Sequence, residues 1–215
     1  LPFENCYKQS YRTDIYNLHH TMLPRLQKLV AQFAHLSPKD WDRALSNAQT
    51  ISLKKGEYWV QEGAICQYIG FVQTGVLRIF STVNGKEMVS YFSFERRNPV
   101  LSAYHSFIDQ VPSIETIQAL EDSTLLVLHY DHLQKLYEEK PVFERLGRLL
   151  IEQMYVLAKT RIYDLQHKTA TERYVELLEK YPQITNRIAH HHIASYLGIA
   201  PESLSRLRKK LQQNN

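Results

Sequence analysis

The sequence predicts an α+β protein: a jelly-roll barrel of short strands, then a long helix, then a C-terminal helix-turn-helix. Three observations carry that expectation. Between Thr50 and Leu128 the chain breaks into short strand-like runs punctuated by Gly56, Gly63, Gly75 and Gly85, the spacing of an all-β sandwich or barrel. From Pro141 a helical period returns and persists through PVFERLGRLLIEQMYVLAKTRIYDLQ. Finally, IAHHHIASYLGIAPESLSRLRKKL, from Ile188 to Leu211, places apolar residues three or four apart on either side of Gly198.

Taken in order, Leu1 to Thr21 are polar and without a sustained period, and read as an appendage in which adjacent His19 and His20 would not share a helix face. Leu23, Leu26, Leu29, Val30 and Phe33 form a helical stripe between Met22 and Phe33. Ser37 is placed to cap a second helix, with Pro38 at its first position and Asp40 in its first turn. Strands follow at Ile51 to Leu53, Tyr58 to Val60, Ile69 to Gln73, Val76 to Phe80, Met88 to Phe92, Glu115 to Ala119 and Thr124 to Leu128. Asn84-Gly85 marks a hairpin, since both turn positions need positive φ. The long helix carries Leu146, Leu149, Val156 and Tyr163 on one stripe and Leu150, Met154 and Leu157 on another. Two apolar stripes require two partners: one faces the barrel, and the first suits a coiled-coil-like seam with a second copy. A further helix, TATERYVELLEKY, ends before Pro182. The expected division is an extension over 1–21, a sensor barrel over 22–140, a dimerisation helix over 141–166 and a DNA-binding unit over 167–215.

Within the last unit, small Ala194 permits close helix approach, Gly198 suits a left-handed turn, Ile199 plugs the corner and Pro201 opens the second helix. With Leu204, Leu207 and Leu211 inward, Glu202, Arg206 and Lys209 share the opposite face, flanked by Arg208 and Lys210. Such a face suits a major groove. Arg206 would read a guanine edge, Glu202 would accept from a cytosine amine, Ser203 and Ser205 belong to the same contact set, and the lysines would neutralise phosphate. The net charge is only +4, but Arg187, Arg206, Arg208, Lys209 and Lys210 cluster in the last third. His190, His191 and His192 open the motif where they could touch phosphate.

Cys6 and Cys66 are the only cysteines and form no CxxC, so spacing encodes no disulfide framework, zinc site or iron–sulfur cluster, and we expect no metal and no cofactor. Cys66, after the Glu62-Gly63 turn, is a conceivable redox thiol with nothing nearby in sequence to activate it. No apolar run reaches transmembrane length and no cleavable leader is visible, so a cytoplasmic protein without a membrane partner is expected; the chain begins at Leu1 rather than Met.

This order of parts resembles the Crp/Fnr family of bacterial transcription regulators, over Leu23 to Leu211. The marks are Gly56, Glu62-Gly63, Gly75 before VLRIF, Asn84-Gly85, TERYVELL and above all IASYLGIAPESLSRLRKKL. The last is most similar to short-tailed members from Bacteroidetes-type bacteria. The resemblance implies a cyclic-nucleotide-binding-like sensor barrel, a homodimer through the long helix, and double-stranded DNA with a pseudo-palindromic operator as partner. RNA polymerase is a further partner it implies, and the effector's identity stays open. Glu202 and Arg206 match the family's base-contacting positions, while Pro201 replaces a usual arginine.

The departures are informative. The family's phosphate cassette has FGE followed by an Arg-Ser or Arg-Thr step. Here Pro99, Val100, Leu101 and Ser102 lie near the Gly-Glu place, and Ser113-Ile114 where Arg-Ser would be. A buried phosphate without its arginine costs several kcal/mol, enough to erase micromolar affinity, so tight cyclic AMP binding is not expected. The chain stops at Asn215 without a hairpin wing, which predicts fewer phosphate contacts. Two alternatives remain open: a small-molecule sensor of the same fold with weak or vestigial DNA output, and a jelly-roll enzyme. The enzyme would need a His-x-His and carboxylate set on barrel strands, whereas His105 and His129 stand alone.

Overall fold

The computed structural model describes residues 23–213. The expectations for 1–21, including His19 and His20, lie outside the described residues. Helices α1 (Leu23–Val30) and α2 (Pro38–Leu45) come first. Ser37 caps α2 as a capping box: its hydroxyl accepts from the Asp40 N–H at 3.3 Å and the Asp40 carboxylate accepts from the Ser37 N–H at 3.1 Å. The Lys140 ammonium bonded to Asp40, helped by Ser37, holds that carboxyl down at about 2.

Eight strands follow: β1 (Gln49–Leu53), β2 (Tyr58–Val60), β3 (Tyr68–Thr74), β4 (Val76–Val83), β5 (Lys86–Phe94), β6 (Val100–Leu101), β7 (Thr116–Ala119) and β8 (Ser123–His129). They form two antiparallel sheets, β1-β8-β3-β6 and β2-β7-β4-β5. Alternation sends Trp59, Val72, Leu77, Ile79, Ile117, Leu125 and Val127 into one core cluster. The β4–β5 hairpin pairs Val83 with Lys86 across Asn84 (φ 50°) and Gly85 (φ 74°), as the Asn-Gly step requires.

Helix α3 (Tyr104–Asp109) interrupts the strands, and α4 (Tyr130–Glu139) leads into the long α5 (Pro141–His167). Then come α6 (Ala170–Lys180), α7 (Ile184–Arg187), α8 (His190–Leu197) and α9 (Pro201–Gln213). The α+β class holds, and each strand expected from the sequence is present with its ends moved by a few residues. Strand β6 and helices α3, α4 and α7 are additional. β6 is only two residues and α7 four, too short for any period to show.

Each sheet buries its outer face against helices. Phe71 and Leu126 on β3 and β8 meet Leu26 and Leu29 of α1. On the other sheet, Val76, Phe80, Val89, Phe92 and Phe94 share a core cluster with Tyr174, Leu177, Ile184, Ile188, Ile193, Ala194, Leu197 and Leu204. The C-terminal helices are thus packed directly on the β4–β5 hairpin. Among the described residues no helix is long and apolar enough to cross a membrane.

Candidate nucleic-acid interface and its seat on the barrel

Helix α8 ends because Gly198 takes φ 69°, a conformation L side chains avoid. Its N–H donates to the Ser195 carbonyl at 3.0 Å and that of Ile199 to the Ala194 carbonyl at 3.0 Å, so the carbonyls at the helix end are satisfied while the chain turns. The Ala200 carbonyl then accepts from the Ser203 and Leu204 N–H groups, starting α9. Ile193, Ala194, Leu197 and Leu204 lie between the two helices at 1% exposure or less, which fixes their crossing.

The opposite face of α9 is open. Glu202, Ser205, Arg206, Lys209 and Lys210 are exposed, while Ser203 and Arg208 are half-buried. Arg206 donates to the Ser203 hydroxyl at 3.0 Å, and the Arg208 guanidinium donates to the His190 ring. Among the described residues, no carboxylate pairs with Arg206, Arg208, Lys209 or Lys210. The site residues expected on α9 therefore share one solvent-facing, cationic surface.

What the sequence did not reveal is how this unit is seated. The Ser195 hydroxyl donates to the Glu87 carbonyl at 2.7 Å and accepts from the Val89 N–H at 3.0 Å, pairing with the exposed edge of β5. Buried Arg78 grips the Glu87 carboxylate with two guanidinium nitrogens, donates to Gln118 at 2.8 Å and lies 3.0 Å from His192 Nδ1. Burial, then the nearby Arg78 and His191, push His192 down to about 4, so it is neutral near pH 7 and turned to the barrel rather than to a phosphate. Arg187 bridges Glu95, at 3.0 and 3.1 Å, and Glu121, whose hydrogen bond raises the guanidinium's pKa further. Tyr181 stacks on Phe94 and its hydroxyl accepts from Asn98 at 3.0 Å. From α5, Arg161 lies over the Tyr196 ring at 3.9 Å and donates to its carbonyl. No local pattern announces such pairs: Arg78 and His192 are 114 positions apart.

Helix α5 divides its apolar residues three ways. Leu146 packs with Phe143 and Tyr137 beneath α4, and Leu150 and Met154 turn to the barrel side. Leu149 is half-buried, and Val156 and Tyr163 are 61% and 56% exposed. Ile151, Tyr155, Ile162 and Leu165 are also exposed and follow a heptad-like spacing that the sequence reading passed over.

Residues 50–140 match the cyclic nucleotide-binding domain family. The chain is 26% identical over 174 residues to the transcriptional activator protein Anr of Pseudomonas aeruginosa, covering 75% of this chain and 70% of that one. The chain thus carries a domain of that family and is similar in sequence to transcriptional activators beyond it. In fold it is similar to FixK2 of Bradyrhizobium japonicum, with 20% identity, a TM-score of 0.66 and coverage of 78% of this chain and 85% of that one. It is also similar to the catabolite activator protein of Thermus thermophilus, with 23% identity, a TM-score of 0.52 and coverage of 83% and 85%.

The expected effector-pocket residues are dispersed. The Pro99 carbonyl accepts from the Val72 N–H at 2.8 Å, Val100 faces helices outside the barrel, and Leu101 lies in the barrel core. Buried Ser102 donates to the Tyr68 carbonyl at 3.0 Å and lies 3.3 Å from the buried Cys66 thiol. Ser113 donates to the Glu115 carbonyl at 2.8 Å, and Ile114 is 63% exposed. Next to them burial raises the Glu115 carboxyl above the usual carboxylate range. Among the described residues no group of three His, Cys, Asp or Glu is placed to hold a metal.

Proposed function

We propose that this Crp/Fnr-type regulator acts as a homodimer that reads a pseudo-palindromic operator through α9, regulates transcription rather than catalysing a reaction, and does not depend on cyclic AMP. One observation carries the DNA reading: the cations of α9 face solvent without a carboxylate partner, on a helix held rigidly by the buried corner at Leu197 and Leu204. Glu202, Ser203, Ser205 and Arg206 are the base-reading group, and Arg208, Lys209 and Lys210 the phosphate group. For the seam, Leu149, Val156 and Tyr163 are joined by Ile151, Tyr155, Ile162 and Leu165; a monomer would leave this apolar surface in water. Independence from cyclic AMP is supported by charge. The buried arginine of the barrel, Arg78, is engaged by Glu87 on the outer face, and the loop where a phosphate partner is expected carries half-buried Glu115 instead.

Selection of bound sequences from random duplexes, with and without cyclic AMP, tests this. A two-fold-symmetric motif in both arms supports it; a motif only with the nucleotide removes the independence. No motif in either arm favours a sensor with vestigial DNA output. On the selected operator, Arg206→Ala should cost about 1–3 kcal/mol and relax one base position. Lys209→Ala should weaken all duplexes alike and reduce the salt slope by about one charge. Ile162→Asp should shift the protein from dimer to monomer in analytical ultracentrifugation; an unchanged dimer would move the seam elsewhere.

A further inference from the structure

The outer face of β3 and β8 is covered incompletely. Between it and α1, α2, α4 and α5 lies a cavity of about 590 Å³, walled by Leu26, Trp41, Phe71, Leu126, Leu133 and Met154 among others. Its lining is overwhelmingly apolar. The charged side chains along it, Glu144 and Arg148, are exposed on α5, and Arg148 is already paired with Glu152 at 2.6 Å. The space lies outside the barrel interior: Trp59, Leu77, Ile79 and Ile117 of the barrel core do not line it, while Phe107 and Val127 border both.

We propose that this cavity binds an uncharged small molecule with a hydrocarbon body. Its volume falls in the range of small-molecule sites. Water gains few hydrogen bonds on such walls, whereas a hydrocarbon restores the dispersion contacts that the lining lacks. An anion such as a nucleotide finds no unpaired buried cation there and would be excluded by desolvation. The cavity is also connected to the rest of the molecule. Gly147, Leu150, Ile151 and Met154 form its α5 wall, and farther along the same helix Arg161 holds Tyr196 of α8. A ligand that moves this wall therefore moves the seat of the helix-turn-helix. That coupling, unlike the binding itself, rests on the regulatory reading above.

The test uses a terminally brominated undecanol, whose heavy atom quenches tryptophan at close range, on the full chain. The chain has two tryptophans, Trp41 on the cavity wall and Trp59 in the barrel core. Saturable quenching at one site per chain, lost in Trp41→Phe and not competed by cyclic AMP, is the expected result. Filling the cavity from opposite walls with Ala44→Phe or Leu133→Phe should raise the dissociation constant about tenfold or more, about 1.4 kcal/mol. Should one variant fail to fold, the other and the Trp41→Phe control still decide. Non-saturating quenching of both tryptophans, or saturable quenching unchanged in the folded filling variants, overturns the site. Binding that leaves affinity for a selected operator unchanged supports the site and removes only the coupling.

Discussion

The two sheets of the barrel are covered by helices in opposite ways. Over β4 and β5 the C-terminal helices leave little space, a pocket of about 50 Å³ beside Phe92 and Tyr196: Val76, Ile193, Ala194 and Leu197 are fully buried, and Ser195, Arg187 and His192 add directional polar contacts around them. Over β3 and β8 the cover is mostly apolar contact across a cavity of about 590 Å³, with one hydrogen bond from Arg25 of α1 to the Gln73 carbonyl of β3 at 3.1 Å. Dispersion and hydrophobic burial tolerate a gap, whereas charge-assisted hydrogen bonds demand a single geometry. The first face therefore sets where the helix-turn-helix sits, and the second leaves room for something else to enter.

Core truncation should separate the two faces most strongly. Leu197→Ala, in the sealed seat, should cost about 3–5 kcal/mol in urea unfolding, because close-packed surroundings cannot collapse onto the void. Leu126→Ala already borders open space and should cost about 2–3 kcal/mol. Equal losses would mean that the faces are equally plastic.

Removing the polar clasp comes next. Arg187→Ala leaves Glu95 and Glu121 facing each other without their cation and should cost about 2–4 kcal/mol, measured by the same unfolding. A loss below about 1 kcal/mol would reduce the clasp to a surface ion pair.

The smallest expected effect is a pH slope. His192 binds its proton near pH 4 in the folded chain against an ordinary value of 6.5. As pH falls from 6.5 towards about 4, the unfolded chain takes up a proton that the folded chain refuses, so stability is lost with acidification and is full above that window. With allowance for partial exposure beside Arg78, Glu87 and His191, the loss should be about 1–2 kcal/mol. His192→Gln should flatten the slope between neutral pH and about pH 5; an unchanged slope would assign it to other groups.

Much of this was legible in the residues because local chemistry decides it. Ser37 with Pro38 and Asp40 announces a capped helix start, Asn84-Gly85 a tight hairpin, and Gly198 followed by Pro201 a turn between helices, each through backbone geometry that a few adjacent residues control. The face of α9 was legible for the same reason, since one helical period orders Glu202, Arg206 and Lys209. On α5 the period was visible but its phase was not. Val156 and Tyr163 are exposed as a seam requires, while Leu146 turns inward and Ile151, Tyr155, Ile162 and Leu165 stand out instead, because neighbouring elements decide which stripe is covered.

By itself, then, the sequence determined the kinds of element, their order and which face of α9 is exposed, all set by interactions among residues a few positions apart. Only the tertiary structure decided that His192 serves the barrel and not a phosphate, that Arg78 answers Glu87 on the outer face, and that one sheet is closely covered while the other keeps a large cavity. Those outcomes depend on groups brought together across 9 to 114 positions and on volumes summed over many side chains, and neither leaves a periodic trace in the chain.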